Sequence, residues 1–211
     1  MNRVENIPRE FEAIKDNNET MLWSDQPVFV PFMMQAVPFL MLGIVWFLIN
    51  STFYQFMFED NLMFAGFSSF ALLFVVVHQF PLIASVLNAI RLLLVFKNTV
   101  YGFSNKRVML RTGFFGTDFK VVDYDKIQNL EVNVNPIEKL FHVGKIRIYS
   151  GEVSVRNNQS HPKYTVFYAI KNPYDVFKQL KNVSLDIKTD WSYPNDYRPE
   201  KNKGYNTEYR K

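Results

Sequence analysis

The chain has 211 residues, no cysteine, three histidines and a formal net charge of +4. The missing cysteines exclude disulfides, thiolate-bound zinc, iron–sulfur clusters and thiol catalysis, and His78, His142 and His161 are too scattered in sequence to read as a metal site. The charge is uneven: Met1 to Pro27 carries three basic and six acidic side chains, whereas Lys97 to Lys211 carries twenty basic and twelve acidic, a balance that suits an anionic lipid surface, nucleic acid, or simply a solvated basic domain.

Residues 1–27 read as a polar, acidic leader with a helix-compatible piece from Arg9 to Ile14. It is not patterned as a signal peptide: the apolar run starts late, the preceding charge is negative, and no small-residue cleavage site follows. Residues 28–96 form an apolar block with two runs almost free of charge, one between Asp25 and Glu59 and one between Asp60 and Arg91. Each exceeds the roughly 20 residues needed to cross the hydrocarbon of a bilayer. Neither has the wet face of a helix in a soluble core. The block therefore reads as a transmembrane helical hairpin.

The first span is placed at about Val28 to Asn50, with Pro31 in its first turn and Pro38 kinking or thinning the helix. Trp23 and Trp46 are candidate interface markers, and Trp46 could equally pack inside protein. Ser51 to Asn61 is the connection. The second run, Leu62 to Phe96, would extend about 52 Å as one helix, and Pro81 supplies a break. The span is placed at about Leu62 to Phe80, with Leu82 to Phe96 as an interfacial helix showing a polar stripe of Ser85, Asn88 and Arg91. The alternative is a span shifted to about Val77–Phe96, with Arg91 snorkelling. Lys97, Lys106 and Arg107 follow the second run and the loop between the runs has no basic residue, which predicts that both termini are cytoplasmic.

Residues 97–189 read as a separate domain. Period-two alternation predicts short strands at Thr99–Phe103, Arg107–Arg111, Phe119–Tyr124, Ile127–Val134, Lys145–Tyr149 and Tyr164–Ile170. Ser104-Asn105 is a tight turn, Gly113 and Gly116 bracket an exposed aromatic pair, Phe114-Phe115, and Pro136–Phe141 is a single helical turn. Gly151–Pro162 is a polar hairpin or loop. Asn172-Pro173 starts a helix to about Val183, with Val176, Phe177, Leu180 and Val183 on one face. This describes a small barrel or sandwich plugged by one helix. Residues 190–211, polar and aromatic, read as a flexible tail.

These residues resemble a family. Tyr101-Gly-Phe103-Ser-Asn105-Lys-Arg107-Val is similar to the Y-x-hydrophobic-T-N-x-R-hydrophobic opening of bacterial pleckstrin-homology-like domains that follow membrane hairpins, with Ser104 in place of the usual Thr. Gly113, Tyr124-Asp-Lys-Ile127, Gly144-Lys-Ile146-Arg-Ile148 and the Asn172-Pro173-Tyr174-Asp-Val176 helix follow in the expected order. Asn18-Glu19-Thr-Met-Leu22-Trp23 resembles the family's approach to its first helix, and the polar stretch Asn157–Pro162 departs from it. The resemblance implies an α+β membrane protein: a two-helix hairpin, then an antiparallel pleckstrin-homology-like barrel or sandwich with a capping helix. It also implies a bacterial inner membrane.

No catalytic motif is present: there is no G-x-S-x-G, phosphate loop, H-E-x-x-H or dinucleotide fingerprint. Asp118, Asp123, Asp125 and Glu131 alternate as solvent-facing strand and turn positions. His78 reads as structural at a helix break. No enzyme activity, cofactor or metal is expected. The candidate binding residues are Lys106, Arg107, Arg111 and Lys120. In eukaryotic pleckstrin-homology domains, basic residues of the first hairpin loop bind phosphoinositides; here the spacing is looser, and a weak contact with anionic lipid is expected. The leading expectation is a membrane scaffold whose partners are the bilayer and another membrane protein or itself, without nucleic acid. The alternatives are a lipid-headgroup module and an accessory subunit of a transporter or enzyme, which would need Gln35, His78 and Asn88 to converge.

Overall fold

The structure is a computed structural model that describes residues 9–59, 73–156 and 158–192. Readings for residues 60–72, which include most of the placed second span, and for the tail beyond residue 192 lie outside them. The chain divides into two compact units, Met1–Phe32 with Asn98–Lys211, and Met33–Lys97.

Among the described residues, the first unit holds seven strands in two antiparallel sheets. β1 (Met21–Asp25), β2 (Val100–Ser104), β3 (Arg107–Thr112) and β4 (Asp118–Asp123) form one, in that order. β5 (Asn129–Asn133), β6 (Val143–Arg156) and β7 (Gln159–Lys171) form the other. The sheets are two open layers, not a closed barrel. Both contribute to one core: Tyr101, Phe103 and Val108 from the first, Ile146, Ile148 and Phe167 from the second. The Tyr101 and Phe167 rings stack with centroids 4.6 Å apart. Trp23 stacks on Phe103 and Phe167 in this core, so it does not serve as an interface marker.

The stretch read as a leader is built into this unit. β1 pairs with β2, Asp25 opposite Tyr101. The short helix α1 (Arg9–Ile14) belongs to a second apolar cluster, in which Phe11 is packed with Met21, Val100 and Met109. β2 is buried along its whole length, because the core takes Tyr101 and Phe103 while the second cluster takes Val100. Gly102 makes room for that cluster: a Cβ there would stand 2.8 Å from Met21 Cε and 2.9 Å from Phe11 Cε2. Six helical residues and five strand residues are too short to be stable alone. Their structure comes from these contacts, which sequence periodicity does not register.

The remaining elements extend the expected ones. β6 and β7 run on to Arg156 and Gln159, with an irregularity between Tyr149 and Val153 where Gly151 takes φ +80°, so the polar stretch is strand for most of its length. α5 (Pro136–Leu140) carries a capping box between Asn135 and Glu138. The terminal helix α6 (Pro173–Ser192) runs past Val183, because Ile187 continues its buried face and Lys188 Nζ donates to the Ile127 carbonyl.

The second unit is built on two apolar helices. After α2 (Phe29–Met33), a 3₁₀ turn at Met34–Ala36 leads into α3 (Val37–Glu59). Pro38 therefore stands in the first turn of α3, where its missing N–H costs little; the thinning expected of it is this 3₁₀ turn. Residues 73–78 are helical and α4 (Phe80–Asn98) follows, with Pro81 at its start. Trp46 Nε1 donates to the His78 carbonyl at this break, 2.9 Å away. α3 and α4 pack closely where a Cβ on Gly43 would fall 2.4 Å from Ser85 Oγ. Ser85 is buried there, so the expected Ser85–Asn88–Arg91 stripe does not face outward as one line. Gly43 meeting Ser85 and Asn50 meeting His78 make an antiparallel pair. Among the described residues, α4 is thus the helix paired with α3.

Candidate functional site

The four basic residues expected to bind do not form one patch. Lys106 and Arg107 stand at the β2–β3 turn, Arg111 opposite Val100 near the other end of β3, and Lys120 opposite Leu110. Arg107 and Arg111 stand four residue steps apart along β3, about 13 Å. The turn is occupied from within the chain. Arg107 makes a two-point contact with Glu19, Nε to Oε1 at 3.0 Å and NH2 to Oε2 at 2.7 Å, and its NH2 also reaches Asp16 at 2.7 Å. Lys106 Nζ meets Asp16 at 3.2 Å. Lys120 Nζ lies 3.8 Å from Glu152, which Lys163 approaches at 3.2 Å.

The electrostatics follow from these contacts. Burial by itself would raise the Glu19 carboxyl, but hydrogen bonds from Arg107, from Ser104 and from the Asp16 backbone hold it below its ordinary value. The hydrogen bond that Arg107 donates to Glu19 chiefly raises its guanidinium further. Lys106 and then Arg107 lower the exposed Asp16. Ser104 Oγ donates to Glu19 at 2.5 Å and accepts from the N–H groups of Lys106 and Arg107, both at 3.0 Å. Asn105 Oδ1 accepts from Thr20 N at 2.9 Å, and Asn105 N donates to the Thr20 carbonyl. Three signature residues, Ser104, Asn105 and Arg107, thus dock the upstream segment. The apolar run Met21-Leu22-Trp23 is the sequence sign of that strand, and three residues are too few to fix a period.

The outer face of the second sheet offers a different site. A groove of about 580 Å³ is lined by residues including Asn135, Lys145, Arg147, Tyr164 and Tyr168. The Arg147 guanidinium lies 3.9 Å over the Tyr164 ring, and Lys145 Nζ 5.7 Å from the Tyr168 ring. Glu131 and Glu138 reach the same cations, at 3.2 and 3.1 Å. The result is a surface of aromatic planes and paired charges, in which the Arg147–Tyr164 stack is made of residue types enriched at protein interfaces. Sequence reasoning did not single it out. Its signal, Lys145-x-Arg147 opposite Tyr164-x-Val166-x-Tyr168, exists only across two strands.

Among the described residues, no acid–base constellation stands out. Burial pushes the phenols of Tyr101 and Tyr124 well above their ordinary value; Tyr101 accepts from Tyr168 N and Tyr124 donates to the Ser104 carbonyl. Among the described residues, no three acidic or histidine side chains are placed to hold a metal. In the second unit, His78 Nε2 is 3.0 Å from Asn50 Oδ1, and Gln79 Nε2 donates to Tyr54 at 2.9 Å. These polar groups tie helix to helix. Asn88 is engaged by Arg91.

The chain belongs to the bacterial PH domain family, which it matches over residues 30–183. No curated protein matches it. Among solved structures, it is similar to a DUF1696 family protein with a pleckstrin-homology domain from Shewanella loihica PV-4, with 11% identity and a TM-score of 0.37, over 83% of this chain and 91% of that one.

Proposed function

We propose that this bacterial PH domain protein is a non-enzymatic membrane scaffold: the two apolar helices anchor it in a bacterial inner membrane, and the domain faces the cytoplasm and receives a protein partner. One observation carries the anchor. β1 and β2 are hydrogen-bonded neighbours with Asp25 opposite Tyr101, and the apolar segment is the connection between them. Two helices in it, Phe29–Thr52 and Phe80–Asn98, are long and apolar enough to cross a membrane. A connection that leaves and re-enters one sheet at adjacent points has both ends on the same side of a bilayer, so the crossings are even in number. Lys97 in the last turn of α4, with Lys106 and Arg107 after it, supports the cytoplasm as that side.

The Arg147–Tyr164 groove supports a protein partner. The occupied β2–β3 turn argues against headgroup binding as the main role, because Lys106 and Arg107 already hold carboxylates. The test is a pair of reporter fusions with site-specific photocrosslinking. Fusions after Met1 and after Lys211 are expected to report the cytoplasm; one terminus outside the cell overturns the anchor. A crosslinker at Tyr164 in intact membranes is expected to trap a discrete protein species that Arg147→Glu abolishes. An unchanged pattern in Arg147→Glu removes the groove from the site.

A further inference from the structure

Several apolar side chains of the domain are exposed, among them Val155 and Leu185, and two groups of them lie at one end. Phe115 is 90% exposed and Leu140 77%, with Ile137 and Phe141 also exposed. Phe115 tops the β3–β4 loop, and the others form the α5 connection between β5 and β6. Both stand at the end of the domain where the chain departs for the apolar helices. On the first sheet, Asp25, Val100 and Thr112 mark that end, and Asn98, the last residue of α4, donates its Nδ2 to the Gly113 carbonyl at 3.1 Å. On the second sheet, Val28 N donates to the Ala169 carbonyl at 2.9 Å, and Asn172 N to the His142 carbonyl at 3.2 Å. These bonds bring the α5 connection to the same departure point.

We propose that Phe115 on one side and the Ile137–Leu140–Phe141 connection on the other dock on the lipid surface from which the two helices descend, so that the domain is held at three places: its chain connections and two apolar tips. The inference rests on the membrane anchor proposed above. A bilayer is the occupant because both tips flank the two points where chain of membrane-crossing length and composition begins and ends. Apolar tips beside such a point reach the headgroup boundary, where aromatic and aliphatic side chains are stabilised. Lys106 and Arg107, at the opposite end of the first sheet, would then face away from the lipid.

The absence of cysteine makes a clean test. The full chain is reconstituted in vesicles of phosphatidylethanolamine and phosphatidylglycerol, with one spin label at Phe115→Cys, Leu140→Cys, Val155→Cys or Leu42→Cys. Val155 is exposed on the far tip of the β6–β7 hairpin, and Leu42 is exposed on α3. The ratio of oxygen to nickel-chelate collisions measures depth. Phe115→Cys and Leu140→Cys are expected to give ratios several-fold above Val155→Cys and below Leu42→Cys. If either tip matches Val155→Cys while Leu42→Cys is deep, the two-point docking is overturned and the anchor stands. If Leu42→Cys itself matches Val155→Cys, the anchor fails and the docking with it.

Discussion

A single hydroxyl, that of Ser104, gathers the N–H groups of Lys106 and Arg107 and donates to Glu19, whose side chain is fully buried. Removing Glu19 breaks the two-point contact with Arg107 and takes the acceptor from the Ser104 hydroxyl and the Asp16 N–H, while Arg107 keeps Asp16. Glu19→Ala is therefore expected to lower domain stability by on the order of 2 kcal/mol in urea unfolding, and Glu19→Gln by less, because it keeps the shape and some hydrogen bonds. The pH dependence follows from the lowered Glu19 carboxyl. Its contribution is fully present above the ordinary value of 4.5 and is lost as pH falls through the lower folded value. The wild-type chain should lose stability below pH 4.5 more steeply than Glu19→Gln; parallel acid titrations would remove Glu19 from the account. Arg107 belongs to the same pair. Arg107→Glu should unfold the turn and lower the melting temperature, an effect seen in the absence of any lipid.

At the scale of elements, the N-terminal helix and strand are secondary structure made by tertiary contact. Phe11 is fully buried over Gly102. Phe11→Ala should cost about 3–5 kcal/mol in domain stability, measured by thermal unfolding. A cost below 1 kcal/mol would mean that α1 is a decoration. In the apolar unit, Gly43 lets α3 and α4 approach, and the polar contacts of Trp46, Asn50 and His78 hold them where Pro81 interrupts the second helical path. The prolines and the terminal-helix face were visible in the sequence because each acts within a few residues. The pairing of Gly43 with Ser85 was not, since the partner is over forty residues away and neither residue is distinctive alone.

The whole molecule is a domain interrupted by its own apolar insertion. A fragment starting at Lys97 would lack β1 and α1 and expose the buried faces of β2. It is expected to show no cooperative unfolding and to aggregate. A chain in which residues 33–97 are replaced by a flexible Gly-Ser linker should instead fold as a soluble domain with a cooperative transition, since β1 and β2 are already neighbours. If the Lys97–Thr189 fragment unfolds cooperatively, the N-terminal segment is dispensable.

By itself the sequence determined the apolar block, the six strand segments after it, the capping helix, and the order of signature residues that marks the family. Each is a local pattern of period, composition or spacing, and local patterns survive without knowledge of neighbours. Only the tertiary structure decided that the acidic leader is the edge strand of the first sheet. It alone showed that Lys106 and Arg107 are spent on Asp16 and Glu19, and that Arg147 and Tyr164 share one face. Charge in a sequence counts residues but not their partners. A strand of five residues becomes legible only when the strand that pairs with it, here seventy-six positions later at Tyr101 for Asp25, is in place.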